Sequence, residues 1–402
     1  MYALLLGIIY LAFVSLGLPD SLVGAGWPVM HRDLNVPTSY AGLVTMVIAA
    51  GTIVSSLLSE RLTRRLGTGL VTAISVGMTA AALLGFSAST SFWMLLLWAI
   101  PYGLGAGAVD AALNNYVALH YSSRHMSWLH GCWGIGASIS PFIMGYALSH
   151  NLGWSRGYLI VGLIQVVVTA ILIAGIRLWQ KVNPTNLRAS RGGQAADTPK
   201  EPAHAVPLTD TVRIPGVTLM LLAFFGYCAF EGTSMLWAST YLAQYRGVSA
   251  ATAARFGSLF VLGITAGRFI SGLFADRLGD RTMIRFGSLA ALLGAGLIAL
   301  PLNSSVLALI GLVAAGLGCA PIYPSIIHAT PTNFGSQYSH AVIGIQMASA
   351  YLGTTLMPPL FGLISARTGI WLFPFYLLVL AALVLVMTQI LNRVVDRNHT
   401  GV

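Results

Sequence analysis

The chain has 402 residues, of which 56% are hydrophobic and only 8% are charged. So apolar a composition excludes an ordinary water-soluble globular protein and indicates a polytopic membrane protein. The formal net charge of +10 at pH 7 would fit a nucleic-acid partner, but the distribution of the basic residues along the chain argues for membrane topology instead.

Twelve apolar runs are long enough to cross a bilayer, which takes about 20 residues in a helix. Helices fit this pattern better than barrel strands, whose residues would alternate in polarity. We therefore predict an all-α protein with twelve transmembrane helices. The predicted spans, numbered 1 to 12, cover about 3–27, 39–59, 68–88, 91–118, 127–149, 155–178, 214–243, 251–274, 283–301, 305–328, 338–364 and 370–391.

Span 1 has no positively charged start and no clear cleavage site, so we expect it to remain as a helix rather than to be removed as a signal peptide. The three cysteines, Cys132, Cys228 and Cys319, all fall inside spans. An odd number of cysteines in such places predicts small packing residues, with no disulfide framework and no metal site.

Basic residues concentrate on one side of the predicted topology. If both termini are cytoplasmic, the inner loops and the tail hold fifteen of the twenty-one basic residues. This distribution follows the positive-inside rule. We therefore expect a multi-pass protein of the plasma membrane, of the bacterial inner-membrane type. Its expected surroundings are the lipid bilayer, and we expect no nucleic-acid partner.

A polar segment separates spans 6 and 7. Residues 180–213 are rich in Pro, Gly, Ala, Ser and charge, without apolar periodicity. Such a composition indicates a flexible cytoplasmic linker. We predict an N-terminal six-helix bundle at 1–179, this linker, and a C-terminal six-helix bundle at 214–402.

The two halves carry similar loop motifs. "SSLLSERLTRRLG" after span 2 aligns with "SGLFADRLGDRTM" after span 8, which places Glu60 and Asp276 at matching points. A repeat of this length predicts a duplicated bundle.

These motifs resemble the loop signature Gly-x-x-x-Asp-Arg-x-Gly-Arg-Arg of the major facilitator superfamily. The second copy has Asp280 where a basic residue is expected, and the first copy has Glu60 for Asp and Thr63 for Gly. The resemblance implies two pseudo-symmetric bundles, alternating access to a central site, and a monomer as the functional unit. An acid beside arginines at a helix end can bond to a neighbouring helix terminus, so we predict a conformational latch of Glu60, Arg61, Arg64, Asp276, Arg277 and Arg281.

Three acids remain inside the predicted spans: Asp20, Asp110 and Glu231. Ionisable groups within a membrane are expensive to bury and usually serve a transport pathway. A carboxyl group in such a place can hold and release a proton, so we predict that all three couple transport to ion movement. Trp27 follows Asp20 by two helical turns and is a candidate for solute binding, although tryptophan also anchors helix ends at the membrane interface.

Span 4 contains the strongest local pattern, "YGLGAGAVDAALNNYVALHY". Its glycines predict close helix packing, and Asp110, Asn114 and Asn115 offer acceptors and donors for a hydroxyl-rich solute. Alternatively, the asparagines would form hydrogen bonds between helices. The pattern is similar to span 4 of the fucose-galactose-gluconate/proton symporter branch, which implies that Asp20 and Asp110 form the functional pair.

Span 5 begins "SWLHGCWGIGASISPF", which puts His130 and Trp133 on one helix face. His130 is predicted to relay a proton or to bind a hydroxyl group, or else to bridge two helices. The stretch is similar to sodium-dependent glucose transporters of the same branch, so sodium stays an alternative to the proton. No other cofactor is predicted.

The remaining candidates for solute binding are polar residues in later spans. Tyr323 lies between Pro321 and Pro324 in span 10, where prolines predict a broken helix. Gln346 in span 11 and Gln165 in span 6 are further candidates. Packing explains such residues equally well.

These patterns favour a secondary active transporter that imports a sugar or similar polyhydroxylated solute with protons. The alternative is a proton-coupled exporter of drugs or other organic solutes, and a third is a nutrient receptor that retains the fold without moving solute. An enzyme is least favoured, because the sequence has no pattern of a catalytic nucleophile with its general base, no phosphate-binding loop and no metal-ligand spacing.

Overall fold

The computed structural model describes residues 2–37, 40–181, 207–301 and 305–400. Within these ranges the protein is built from α-helices, joined by short turns and one 3-10 turn. The helices are α1 (Tyr2–Gly17), α2 (Leu22–Asp33), α3 (Ala41–Leu66), α4 (Thr68–Ser87), α5 (Phe92–His120), α6 (Ser123–Ser149), α7 (Trp154–Lys181), α8 (Leu208–Arg213), α9 (Val217–Gln244), α10 (Ala250–Leu278), α11 (Asp280–Ala299), α12 (Val306–Cys319), α13 (Ile322–His328), α14 (Thr330–Phe334), α15 (Ser336–Thr368) and α16 (Phe373–Thr400).

The twelve predicted spans all form helices, which confirms the predicted fold class. Eleven helical segments of the described chain are long and apolar enough to span a membrane. The remaining predicted span, span 5, corresponds to α6, whose glycines, serines and histidines make it less apolar. Its polarity is informative, because polar residues in a spanning segment tend to face other helices or a pathway.

Two predicted spans are interrupted. Span 1 extends to Asp33 and is split into α1 and α2 by the turn at 18–21. The turn contains Pro19, which has no backbone N–H to continue the helical ladder. Span 10 is split into α12 and α13 at Ala320 and Pro321, so the predicted break is confirmed there, whereas Pro324 lies inside α13.

The chain divides into two compact units. The first comprises 1–120 and 129–205, and the second comprises 121–128 and 206–402. The segment 121–128 therefore groups with the second unit, although it precedes the predicted linker. Most of that linker, residues 182–206, lies outside the described residues, and its end forms the short helix α8.

Corresponding helices pack in the same pairs inside each unit. In the first unit α3 packs on α5, and α4 packs on both α5 and α7. In the second unit α10 packs on α12, and α11 packs on both α12 and α16. The repeated pattern is what a duplicated bundle predicts.

The two motif copies differ by one helical turn. In the second copy α10 ends at Leu278, and Gly279, at a φ of 77°, begins the connection to α11. In the first copy Thr63 occupies the position that corresponds to Gly279. There α3 continues to Leu66, and Gly67, at a φ of 80°, ends it. Glycine suits both connections because it adopts positive φ without strain.

Candidate functional site

Asp20 accepts two hydrogen bonds from aromatic side chains of other helices. The Tyr102 hydroxyl on α5 donates to Oδ1 at 2.9 Å, and the Trp133 indole Nε1 on α6 donates to Oδ2 at 2.8 Å. The turn between α1 and α2 carries Asp20, whose side chain stays exposed. We call Asp20, Tyr102 and Trp133 the Asp20 site. It combines an accessible carboxylate with two polar aromatic rings.

Asp110 belongs to a buried chain of hydrogen bonds. The Asn114 side-chain nitrogen donates to Asp110 Oδ1 at 2.8 Å, and the Asn114 oxygen lies 3.0 Å from His130 Nε2. Because an amide oxygen only accepts, Nε2 carries the hydrogen in this contact. Phe13 of α1 packs edge-on against the imidazole, with the ring centres 5.3 Å apart. We call Asp110, Asn114 and His130 the Asp110 chain.

The Asp20 site and the Asp110 chain share two helices. Along α5, Tyr102 precedes Asp110 by eight residues, or about 12 Å at 1.5 Å per residue. Along α6, His130 precedes Trp133 by three residues, or about 4.5 Å. Helix α6 therefore contacts Asp20 directly through Trp133, and it reaches Asp110 through Asn114, which His130 contacts.

Glycines allow these helices to approach closely. A Cβ atom on Gly17 of α1 would lie 2.1 Å from the Trp133 carbonyl oxygen, and one on Gly136 of α6 would lie 2.1 Å from the Val14 carbonyl oxygen. On α5, a Cβ on Gly107 would lie 2.1 Å from the Thr52 carbonyl oxygen. The close packing predicted for the span 4 glycines is therefore present.

Three further residues predicted for solute binding in the first unit are buried. Asn115 lies next to the Asp110 chain in sequence and is 8% exposed. Trp27 packs in an apolar cluster, with its ring 6.5 Å from that of Phe92. Gln165 accepts a hydrogen bond from the Ser15 hydroxyl at 2.5 Å and donates one to the Ser15 carbonyl. Solute contacts at these three residues stay predictions.

The third predicted acid, Glu231, forms an ion pair that the sequence did not reveal. Its Oε1 lies 3.6 Å from Nη2 of Arg268 on α10, and the side chains are 13% and 3% exposed. Arg268 lies inside predicted span 8, and the sequence gave no partner for it. A buried charge needs a counter-charge, so an acid and a base in neighbouring spans were the available signal.

Tyr323 and Gln346 also lie in the second unit. The Tyr323 hydroxyl is 3.5 Å from the sulfur of Met347, and its ring is 4.6 Å from that of Phe224. The side chain of Gln346 is fully buried and bonds to the Thr330 hydroxyl at 3.0 Å. This contact joins α15 to α14, and any solute contact at Gln346 stays a prediction.

The predicted latch residues differ between the two motif copies. Glu60 pairs with Arg64 of its own helix at 3.1 Å, whereas Arg61 is exposed. In the second copy Asp276 accepts from the backbone N–H of Arg124 at 3.0 Å and from the Ser122 hydroxyl at 3.0 Å. Asp276 therefore bonds to the start of another helix, α6, and Glu60 bonds to a residue of its own helix.

The second copy contains additional contacts. Arg281 pairs with Asp396 of α16 at 2.6 Å, and Arg277 is exposed. Asp280, which departs from the family signature, accepts from the Ser123 hydroxyl at 2.6 Å and lies 2.6 Å from His328 Nδ1. The departure is explained by this interaction, since a basic residue at 280 would lose both contacts.

Comparison with known proteins identifies the family. The model of the Major Facilitator Superfamily matches residues 9–300 and 219–399. This chain therefore belongs to the major facilitator superfamily. Members of this family are membrane transporters that bind small-molecule solutes, and they are not enzymes.

Several relatives and structures are similar over most of the chain. Bypass of stop codon protein 6 of Saccharomyces cerevisiae is 22% identical, covering 92% of this chain and 79% of its own. The Hexuronate transporter of Bacillus subtilis is 23% identical, and the match covers 65% of this chain and 63% of that protein. The Probable nitrate/nitrite antiporter NarK1 of Thermus thermophilus is 26% identical, and the match covers 81% of this chain and 77% of that protein.

Two solved symporters share the fold. The E. coli Fucose:proton symporter, FucP, has a TM-score of 0.74 at 16% identity, covering 97% of this chain and 98% of that one. The proton:xylose symporter XylE has a TM-score of 0.76 at 12% identity, covering 97% and 95%. At these identities the likeness concerns the fold alone.

Proposed function

We propose that this transporter is a proton-coupled symporter of a sugar or a similar polyhydroxylated solute, which works by alternating access. The Asp20 site is the observation that carries the proposal. There an accessible carboxylate lies between a phenol and an indole. Aromatic rings stack on the apolar face of a sugar ring, and acceptors and donors beside them bind its hydroxyl groups.

The Asp110 chain supports the coupling part of the proposal. Asp110 is 5% exposed, and Asn114, which donates a hydrogen bond to it, connects it to His130. A proton arriving at this carboxyl would be shielded from bulk water, and His130 would be positioned to stabilise either state through Asn114. We propose Asp20 and Asp110 as the principal coupling groups, with Glu231 and His130 assisting.

The solute contacts follow from the same residues. Trp133 would stack on the sugar ring, and Asn114 and Asn115 would bind hydroxyl groups when the local hydrogen bonds rearrange. The named relatives move different solutes, including hexuronate and nitrate or nitrite. Their names therefore support a polar solute more strongly than a lipophilic drug, and leave the particular sugar to experiment.

Uptake into proteoliposomes tests the proposal. Full-length protein would be reconstituted and given a panel of radiolabelled hexoses with an inward proton gradient, and then with sodium alone. We expect saturable uptake that collapses when the proton gradient is dissipated. Asp20→Asn and Asp110→Asn should abolish concentrative uptake, whereas Asp210→Asn, at an exposed acid of α8, should behave like the parent.

The alternatives predict different results from the same vesicles. Uptake driven by sodium alone would show that sodium is the coupling ion instead of the proton, and the proposed solute class would stand. Export of lipophilic organic solutes without hexose uptake would refute the symporter proposal in favour of the exporter. We further propose a monomer in a plasma membrane of the bacterial inner-membrane type, with both termini cytoplasmic, in keeping with the distribution of basic residues.

A further inference from the structure

The second unit contains a guanidinium group in the middle of a membrane-spanning helix. Arg268 lies in α10, within the span Phe256–Leu278, and its side chain is 3% exposed. Such a group is expensive to keep inside a bilayer, and residues of this kind usually mark a solute or ion pathway. A purely structural role explains it poorly, since apolar residues often stabilise a core as well as a buried ion pair does.

The neutralising carboxylate is supplied by a more exposed residue. Glu231 on α9 is 13% exposed, and its oxygen lies 3.6 Å from the guanidinium nitrogen. Glu231 is therefore the more accessible member of the pair. The distance of 3.6 Å is longer than a good charge-assisted hydrogen bond of about 2.7–2.9 Å, so the pair is in contact without being tightly closed.

Two tyrosines lie near the guanidinium. The carbon at its centre lies 5.9 Å from the centre of the Tyr323 ring, a cation-π distance. Tyr227 lies one turn before Glu231 on α9 and interacts with both charged groups, and its ring is 5.9 Å from that of Tyr323. An apolar wall of this kind strengthens the binding of a planar anion to arginine, whose fork matches a carboxylate.

We propose that Arg268 binds a carboxylate group of the solute, which takes the place of Glu231, so that the transported compound is an acidic sugar or similar polyhydroxylated acid. The proposal rests on the proposed function and narrows its solute class. Charge balance follows directly: Glu231 takes up a proton and becomes neutral as the solute anion pairs with Arg268. One proton and one anion then enter together, and the net charge of the site is unchanged.

The other ionisable groups near Glu231 are consistent with this exchange. They are Tyr227 on its own helix, Arg268 on α10 and Cys319 at the end of α12, while Tyr323 on α13 interacts with Arg268. Arg268 is the one cation in this set, and Glu231 is the one carboxylate. A solute carboxylate at this site would therefore compete with Glu231 for a single cation.

Binding to matched sugars tests the proposal directly. Purified full-length protein in detergent would be titrated calorimetrically with D-glucose and D-glucuronate, and with D-galactose and D-galacturonate. Each pair differs only in the group at carbon 6, a hydroxymethyl or a carboxylate. We expect one acid to bind at least about tenfold more tightly than its neutral partner, because the acid alone gains the bidentate contact.

Substitutions assign the preference to the pair. Arg268→Gln should remove the preference for the acid and leave hexose affinity within about twofold, and Arg268→Lys should keep only part of it, since lysine lacks the fork. Glu231→Gln mimics the protonated carboxyl and should bind the acid more tightly than the parent. Arg367→Gln, at an exposed position of α15, is the control and should be unchanged.

The double variant Glu231→Gln with Arg268→Gln guards against a folding defect, because it removes both charges and leaves neither unpaired. It should bind neutral hexoses normally and show no preference for acids. A parent protein that binds hexoses as tightly as the acids, or a double variant that retains the preference, would overturn the inference alone. Absence of both kinds of binding, together with absence of sugar uptake, would refute the proposed function and this inference with it.

Discussion

The indole N–H of Trp133 donates to the carboxylate of Asp20 at 2.8 Å, across 113 residues of sequence. Two residues chosen for different reasons, one as an acid for coupling and the other as a ring for a sugar, are therefore direct partners. Any solute that stacks on Trp133 would disturb the hydrogen bond to Asp20. The contact gives a physical route by which solute binding and protonation would influence one another.

Trp133→Phe is predicted to weaken coupling while leaving the ring in place. The change removes one donor to Asp20, and a hydrogen bond to a charged group contributes about 1.5–3 kcal/mol. We expect proton-driven sugar uptake to fall about tenfold or more. Exchange of labelled for unlabelled sugar needs no net proton movement and should be retained.

Tyr102→Phe removes the other hydrogen-bond donor to Asp20. Proton-driven uptake should again fall, and exchange of labelled for unlabelled sugar should again be retained. Leu97→Ala, at an exposed position of the same helix, serves as the control. Equal loss of uptake and exchange in both aromatic variants would contradict a coupling role, because it would indicate a general defect.

His130→Phe is predicted to destabilise the protein through the Asp110 chain. The imidazole donor to Asn114 would be lost inside a buried site, at a cost of about 1–3 kcal/mol. His130→Gln retains an amide N–H at a similar distance and should recover most of the loss. The melting temperature of purified protein in detergent measures the difference, and two variants of equal stability would show that the hydrogen bond contributes little.

Gly136→Ala is predicted to disrupt the packing of α6 on α1. The added Cβ would lie 2.1 Å from the Val14 carbonyl oxygen, so the backbones must separate, at a cost of about 1–3 kcal/mol. Gly145→Ala on the same helix is a matched control, since its Cβ would have no atom within 4 Å. We expect a lower melting temperature for the first variant only, and the two would melt together if the close approach were unimportant.

Asp276→Asn is predicted to affect transport more than Glu60→Gln. Asp276 accepts from the backbone N–H of Arg124 at the start of α6, whereas Glu60 pairs with Arg64 on its own helix. Loss of the first contact should change the rate of transport several-fold with little change in sugar affinity. Initial rates over a range of sugar concentrations measure both quantities. An equal effect of the two substitutions would contradict a special role for Asp276.

The fold was largely predictable because a bilayer imposes long apolar helices. All twelve spans formed helices, and Pro19 and Pro321 marked the two interruptions. The end of span 1 at residue 27 was wrong, since α2 continues to Asp33. Hydropathy falls along α2 before the helix ends, so apolarity alone does not locate its boundary.

The partners of the site residues were much harder to predict. Asp20 and Glu231 stood out because charge is rare inside a span, but their partners Tyr102 and Arg268 were not predicted as site residues. Hydrogen bonds and ion pairs between helices depend on rotation and tilt, which are set by packing rather than by the sequence of one helix. The pairing of Glu231 with Arg268 was the contact nearest to recognition, because opposite charges in a membrane favour each other.

The extra turn at the end of α3 makes the duplicated motif unequal in a way that matters for engineering. Four additional helical residues move the glycine connection by about 6 Å along the helix axis, and Thr63 stands where the second copy has its glycine. A chimera that transplants the second motif into the first would therefore have to shorten α3 by one turn as well as change its side chains. Duplication supplied the protein with two copies of one loop, and the length of a single helix has given them different neighbours.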